Sequence, residues 1–289
     1  MRVGPVNTIK AMSAEPVSLE VLPSWEALAA TAAAHRQSFA DANPFPHVVL
    51  DDLMNAEVLS GIEREFPEPR AADWQVYDKP AEVKLALADE DGMGPVTRRV
   101  LHELNGQRFV RFLEMLTGID ALLPDPRLWG GGLHQIRRGG YLKVHADFQI
   151  HPEFRLQRRL NVLVYLNRDW DDEYGGSLEL WDRSMSACAR AVRPDFGRVV
   201  IFNTSETSFH GHPEPLTCPP DRTRRSLALY YYTTLPGGEV TAEDPLELTT
   251  NFKTRPGEAF TPSLRQRVKP WIPPAVIEMT RRAHRRADS

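Results

Sequence analysis

The pattern of apolar and polar residues predicts helices in the first part of the chain. Ser24 is a candidate N-cap for an alanine-rich helix, and residues 55–66 repeat apolar side chains at helical spacing. Residues 98–116 form the longest stretch with helical spacing, and their apolar side chains make up most of one stripe along the predicted helix. A short strand is predicted at residues 44–50. We expect these elements to brace the outside of a sheet formed by later strands.

From Trp129 onward the pattern changes to short strands separated by turns, with Gly-Gly pairs at 139–140 and 175–176. The predicted strands are residues 129–137, 141–147, 159–166, 176–181, 190–193, 198–203 and 225–234. Many short strands with glycine-rich turns indicate a jelly-roll or barrel. A final helix is predicted at residues 275–286, after a polar, proline-rich stretch at 236–262. The expected class is therefore α+β, mainly β.

Three residues in the strand-rich part are candidate metal ligands. His145 and Asp147 are two apart on a predicted strand, so their side chains project to the same side. His210 follows the apolar strand ending at Phe202 and can supply a third ligand. Two imidazoles and one carboxylate match the facial triad of non-haem Fe(II) oxygenases, although an isolated His-x-Asp is a weak signal.

Arg225 opens a very apolar strand and therefore needs an anionic partner, because a buried unpaired guanidinium is costly. That partner is either a structural Asp or Glu or the carboxylate of a ligand. Tyr165, on a neighbouring predicted strand, either donates to the same carboxylate or packs in the core. By strand period, Leu227, Leu229 and Tyr231 share the face of Arg225.

Residues 128–235 resemble the catalytic domain of the 2-oxoglutarate/Fe(II)-dependent dioxygenases, in the prolyl 4-hydroxylase-like branch. The resemblance is carried by His-Ala-Asp at 145–147, Tyr-Leu-Asn-Arg-Asp-Trp at 165–170, Gly-Gly-Ser-Leu-Glu-Leu-Trp at 175–181, Gly-Arg-Val-Val-Ile-Phe at 197–202, Ser-Phe-His-Gly at 208–211 and Arg-Ser-Leu-Ala-Leu-Tyr at 225–230. These motifs also occur in the family's order.

The resemblance implies a double-stranded β-helix braced by N-terminal helices and a C-terminal helix. It implies that His145, Asp147 and His210 bind Fe(II), that Arg225 binds the C5 carboxylate of 2-oxoglutarate, and that Tyr165 assists. O2 would be the second cosubstrate, with ascorbate as a stimulant. The implied reaction hydroxylates an unactivated C–H bond of an amino-acid, peptide, protein or natural-product substrate and releases succinate and CO2.

Several assignments have rivals within the sequence. His212 competes with His210 as the third ligand; the Ser-Phe-His-Gly match favours His210 and leaves His212 as a pocket wall. Arg222 and Arg224 compete with Arg225, but Arg224 is expected on the opposite face and Arg222 before the strand. A non-catalytic binding or sensing module and a cupin-like metalloenzyme without 2-oxoglutarate are the alternative functions.

Composition narrows the class further. The chain has 289 residues, 42% hydrophobic and 26% charged, which suits one large globular unit with regions 1–127, 128–235 and 236–289. A net charge of -4 argues against a nucleic-acid partner. Two cysteines, no signal-peptide pattern and no membrane-length apolar run predict a cytoplasmic protein without a membrane partner. The family resemblance implies a small-molecule or peptidyl substrate. The oligomeric state is left open.

Overall fold

Four α-helices cover one side of the molecule in the part of the chain that the structure describes. The computed structural model describes residues 19–70, 73–235 and 250–258. The helices are α1 (Trp25–Ala40), α2 (Ala56–Glu65), α3 (Pro95–Leu104) and α4 (Gln107–Thr117). Among the described residues no helix combines the length and the apolarity needed to cross a bilayer.

Local sequence explains where the helices begin and end. The side chain of Ser24 accepts the amide of Ala27 at the start of α1, as its predicted N-cap role requires. The prediction of one continuous helix over residues 98–116 is wrong, because the structure breaks it between α3 and α4. Asn105 and Gly106 lie at the break, and both residue types are weak helix formers. The apolar stripe continues across the break, so periodicity alone could not show it.

Thirteen strands are present in the described residues, all in one sheet. They are β1 (His47–Leu50), β2 (Gln75–Lys79), β3 (Glu82–Leu87), β4 (Leu123–Pro124), β5 (Gly132–Arg137), β6 (Tyr141–Ala146), β7 (Gln157–Tyr165), β8 (Leu178–Trp181), β9 (Cys188–Val192), β10 (Val199–Asn203), β11 (His210–His212), β12 (Thr223–Thr233) and β13 (Asn251–Phe252). All seven strands predicted after Trp129 are present with shifted ends. Sequence reasoning missed β2, β3, β4, β11 and β13.

The sheet follows the order β1-β10-β7-β12-β5-β3-β6-β11-β8-β9, and neighbouring strands are antiparallel. It curls so that its two halves face each other. Phe202 and Tyr165 on one half pack against Leu178 and Leu180 on the other. The mainly β prediction is confirmed, and the predicted helix at residues 275–286 lies outside the described residues.

The central strands β7 and β12 are largely buried on both faces, but the two faces have different neighbours. Leu227, Leu229 and Tyr231 of β12 belong to the large core shared with the four helices. Arg224 and Ser226, at alternate positions of the same strand, line a cavity inside the curl. We call this second side the cavity face. The helix layer thus leaves the inside of the curled sheet available for a functional site.

Candidate active site

Three predicted ligands converge inside the curl. Nε2 of His145 lies 3.5 Å from Oδ1 of Asp147, and Nε2 of His210 lies 3.4 Å from Oδ2. One ligand atom from each residue lies within 4.8 Å of the other two. His145 and His210 occupy directly paired positions on β6 and β11. These three residues, called here the His-Asp-His cluster, have the spacing and chemistry of a metal-binding facial triad.

Hydrogen bonds orient both imidazoles toward a shared metal position. Nδ1 of His145 lies 2.8 Å from the carbonyl oxygen of Lys143, and Nδ1 of His210 lies 2.9 Å from that of Ser208. Because a carbonyl only accepts, each Nδ1 carries the proton and each Nε2 keeps its lone pair. Burial lowers the pKa of His210 to about 4, so this imidazole is neutral at physiological pH. The ring is therefore ready to act as a ligand.

Asp147 is held by two side chains of β7. Its Oδ2 accepts a hydrogen bond of 2.8 Å from Nδ2 of Asn161 and lies 3.2 Å from Nη2 of Arg158. Burial alone would raise the pKa of Asp147, but the Arg158 guanidinium and the two histidines hold it well below its usual value. Oδ1 makes neither of these two contacts. The carboxylate is thus ionised and has Oδ1 available for a metal ion.

Arg158 reaches the cavity face through a β-bulge. Tyr231 pairs with Leu160 but Tyr232 pairs with Arg158, so β7 contains one extra residue at this point. Arg158 is 1% exposed. Its guanidinium stacks 3.4 Å from the ring centroid of Tyr230 and donates to Oδ1 of Asn161 at 2.7 and 3.0 Å. Sequence reasoning missed this residue because simple alternation fails across a bulge.

Of the two neighbouring arginines of β12, Arg224 enters the cavity, and the prediction that Arg225 does so is wrong. Arg225 lies on the helix side, where its guanidinium stacks 5.1 Å from the ring centroid of Phe66 and its Nη2 is 4.0 Å from Glu68. Arg224 is buried, lines the cavity and donates from Nη2 to the Tyr165 hydroxyl oxygen at 3.2 Å. The predicted pairing of an arginine with Tyr165 is therefore present one residue earlier.

The error over Arg225 has a physical cause. The prediction that Leu227, Leu229 and Tyr231 face the site is wrong, because they pack against the helices. Both faces of β12 are buried, so side-chain alternation cannot show which face meets the site. On the neighbouring strand β7, Asn161 and Leu163 both line the cavity.

Gly176 makes room for the Arg224 side chain. Its carbonyl oxygen accepts a 2.7 Å hydrogen bond from Nε of Arg224. A Cβ at Gly176 would lie 2.6 Å from Leu216 and 3.0 Å from Cδ of Arg224, and the residue has a φ of +78°. A side chain here would be strained and would displace the arginine.

Arg224 is a buried cation without an ion pair in the described part of the chain. Its hydrogen-bond partners among the described residues are the carbonyl of Gly176 and the hydroxyl of Tyr165, both neutral. Burial lowers the pKa of Arg224, and the Tyr165 hydroxyl only partly offsets the cost. Because a buried guanidinium requires a counterion, its environment fits a ligand carboxylate.

His212 is the second unsatisfied group in the cavity. It is 3% exposed, and neither Nδ1 nor Nε2 has a hydrogen-bond partner among the described residues. Burial, together with the nearby positive charge of Arg224, holds its pKa well below the usual value. The predicted position of His212 as a wall of the pocket is confirmed.

The cavity lined by the His-Asp-His cluster, Arg158, His212 and Arg224 has a volume of about 420 Å³. Its lining includes Lys84 and His134 from the sheet, and Thr250 and Phe252 from the segment near β13. Phe252 packs against His145, with ring centroids 5.3 Å apart. Trp129 lines the cavity and remains 43% exposed. The volume is within the range of small-ligand sites.

The family comparison agrees with this geometry. Residues 131–232 match the model of the 2OG-Fe(II) oxygenase superfamily. The matched region contains the His-Asp-His cluster, Tyr165 and Arg224. The likeness to that superfamily thus covers the strand-rich part of the chain that holds the site, about a third of its length.

Individual relatives are distant. The mouse protein named prolyl 3-hydroxylase OGFOD1 is 22% identical over 276 residues, which cover 93% of this chain and 46% of the relative. The chain thus spans about half the length of that protein.

Two solved structures share the fold. A prolyl hydroxylase from Trichoplax adhaerens, in complex with a hypoxia inducible factor peptide fragment, has a TM-score of 0.50 and 14% identity, covering 73% of this chain and 93% of its own. HygX from Streptomyces hygroscopicus, with nickel and 2-oxoglutarate bound, has a TM-score of 0.50 and 15% identity. The match covers 75% of this chain and 96% of HygX. The predicted double-stranded β-helix core is confirmed.

Proposed function

We propose that this chain is a hydroxylase that consumes 2-oxoglutarate and O2, inserts one oxygen atom into an unactivated C–H bond, and releases succinate and CO2. The observation that carries the proposal is the presence, in one cavity, of the His-Asp-His cluster and of Arg224, a buried cation without a carboxylate partner among the described residues. A facial triad leaves coordination positions open for ligands.

Each residue has a distinct role in this proposal. His145, Asp147 and His210 hold Fe(II), and Arg158 with Asn161 keeps Asp147 ionised and oriented. Arg224 binds the C5 carboxylate of 2-oxoglutarate. The Tyr165 hydroxyl accepts from Arg224 and so keeps its own proton to donate to that carboxylate. Bound Fe(II) supplies the O2 activation, while the protein supplies orientation and a largely dry cavity.

For the substrate, we favour a prolyl residue in a peptide or protein over a free amino acid or a natural product. The support is the likeness to the mouse prolyl 3-hydroxylase across 93% of this chain. The partly exposed Trp129 at the cavity offers an aromatic surface for a proline ring. We also propose that regions 1–127, 128–235 and 236–289 form one catalytic unit, because β3 lies between β5 and β6, and β13 pairs with β6. Cytoplasmic location stays a prediction.

The test is a turnover assay with the whole chain. Protein, Fe(II), 2-oxoglutarate and ascorbate are incubated with proline-containing peptides and with matched peptides in which alanine replaces proline. We expect succinate in equal amount to a peptide product that carries one oxygen from labelled O2, in the proline set only. Asp147→Ala serves as the inactive control. Succinate without peptide oxidation would contradict the substrate, and no succinate at all would contradict the reaction.

A further inference from the structure

The distance from the metal position to the arginine can be followed along strand β8. Leu180 pairs with His210 of the His-Asp-His cluster, and Glu179 pairs with Gly211. Continuing this antiparallel register places His212 level with Leu178, which lines the cavity. Two residues further back, the carbonyl of Gly176 holds Arg224. His212 therefore lies at an intermediate position between the metal site and the arginine.

A buried imidazole in this position has a specific need. A neutral imidazole carries one N–H donor and one acceptor nitrogen. Both nitrogens of His212 are buried without a partner in the described part of the chain, whereas His145 and His210 each bond a backbone carbonyl. A buried donor left unsatisfied is costly, so His212 is expected to bond a molecule that occupies the cavity.

We propose that His212 donates a hydrogen bond to a carboxylate oxygen of 2-oxoglutarate at the Arg224 end of the cavity. The inference rests on the proposed function and adds a binding residue to it. A five-carbon diacid that reaches from the His-Asp-His cluster to Arg224 must pass His212. The side chain is 3% exposed and so belongs to the deep part of the cavity, whereas Trp129, 43% exposed, lies where substrate would arrive. His212 thus contacts cosubstrate and not substrate.

The experiment measures binding to protein loaded with Mn(II), which avoids turnover. His212→Leu removes both nitrogens with little change in bulk, and His212→Gln restores a donor and an acceptor. His134→Leu is the matched control, because His134 also lines the cavity but its Nε2 already lies 3.1 Å from the carbonyl oxygen of Gly130. Dissociation constants are determined for Mn(II), for 2-oxoglutarate and for oxalate, which chelates a metal but is too short to reach Arg224.

We expect His212→Leu to weaken 2-oxoglutarate binding by about 10- to 100-fold, the usual effect of losing a hydrogen bond to a charged group. His212→Gln should recover most of the loss, and Mn(II) and oxalate affinities should change by less than about twofold. Unchanged 2-oxoglutarate affinity in His212→Leu, or equal losses for oxalate or Mn(II), would overturn the proposal. Failure of the proposed function is separate, because the unsubstituted protein would then not bind 2-oxoglutarate.

Discussion

Nη2 of Arg224 lies 3.2 Å from the hydroxyl oxygen of Tyr165, a residue 59 positions earlier in the chain. The two side chains meet on the cavity face of β12 and β7, which are adjacent antiparallel strands. Both are buried, and burial raises the pKa of Tyr165, so its phenol keeps its proton. Arg224 also lines the cavity, so the cation that would meet an anionic ligand is held in place by the neutral Tyr165 hydroxyl.

Replacing Arg224 should separate cosubstrate binding from metal binding. Arg224→Ala is expected to weaken 2-oxoglutarate binding by about 2–3 kcal/mol, roughly 30- to 150-fold, because a charged hydrogen-bond donor is lost. Mn(II) affinity should hardly change. Arg225→Ala is the matched control from the helix side of the same strand. Calorimetric titration would contradict the assignment if Arg225→Ala caused the larger loss.

The metal assignment predicts a clear division among the histidines. His145→Ala, Asp147→Ala and His210→Ala should each abolish tight Fe(II) or Mn(II) binding while the fold is largely kept. His212→Ala should retain metal binding, since its ring nitrogens are not part of the His-Asp-His cluster. Metal content after equilibrium dialysis measures the effect. Loss of the metal in His212→Ala together with its retention in His210→Ala would reverse the assignment.

Arg158 is expected to control the protonation of Asp147. In Arg158→Met the burial of Asp147 is no longer offset by the adjacent cation, so the pKa of the carboxyl rises. Protons then compete with the metal over a higher pH range. Metal affinity in the variant should therefore fall more steeply between pH 7.5 and 5 than in the unsubstituted protein, by a margin of up to about tenfold per pH unit.

Arg159→Met is the control for that substitution. Arg159 is adjacent but only partly buried, and it contacts the hydroxyl of Thr233 at 3.4 Å, away from Asp147. The metal affinity of Arg159→Met should show the same pH dependence as that of the unsubstituted protein. If the two variants behave alike, the contact between Arg158 and Asp147 does not set the pKa.

Histidines outside the His-Asp-His cluster whose pKa is lowered predict how stability depends on pH. Burial lowers the pKa of His47 and His151 from 6.5, and that of His134 to about 3. As the pH falls through 6.5, the unfolded chain binds protons at these residues more readily than the folded chain does, so stability falls as the pH drops. Burial raises the pKa of Glu179, so this carboxyl binds a proton more tightly in the folded chain than in the unfolded chain. Its protonation therefore opposes the loss of stability that the histidines cause at low pH.

Urea unfolding of the metal-free protein between pH 7.5 and 5 tests this balance. The free energy of unfolding should decrease steadily as the pH is lowered. In His134→Phe it should decrease less steeply than in the unsubstituted protein, by up to about 1.4 kcal/mol per pH unit. A midpoint that stays constant or rises over this range would show that the three histidines are protonated in the folded state.

The sequence was sufficient for the elements with strong local patterns. His145 and Asp147 are two apart on a strand, so their common direction follows from backbone geometry. The position of His210 followed from motif order, and the structure pairs it directly with His145. The N-cap role of Ser24 could also be predicted from the residues that follow it directly. These features depend on neighbours in the chain, which is why they could be predicted.

The remaining features depend on tertiary contacts. Arg224 and Arg225 could not be ranked because both faces of β12 are buried. Arg158 reaches the site through a bulge, which shifts the alternation by one residue. β3 enters the sheet between β5 and β6 although it lies far from them in sequence, and its pattern alone did not reveal a strand. Such pairings are decided by packing and not by local propensity.

The most direct test of the account is an anaerobic titration of the Fe(II)-loaded protein with 2-oxoglutarate, followed by visible absorption. Chelation of 2-oxoglutarate to Fe(II) should produce a metal-to-ligand charge-transfer band that saturates in the unsubstituted protein. Arg224→Ala should reach the same band only at much higher 2-oxoglutarate concentration, and Asp147→Ala should show none. Absence of the band in the unsubstituted protein, with Fe(II) bound, would contradict the account.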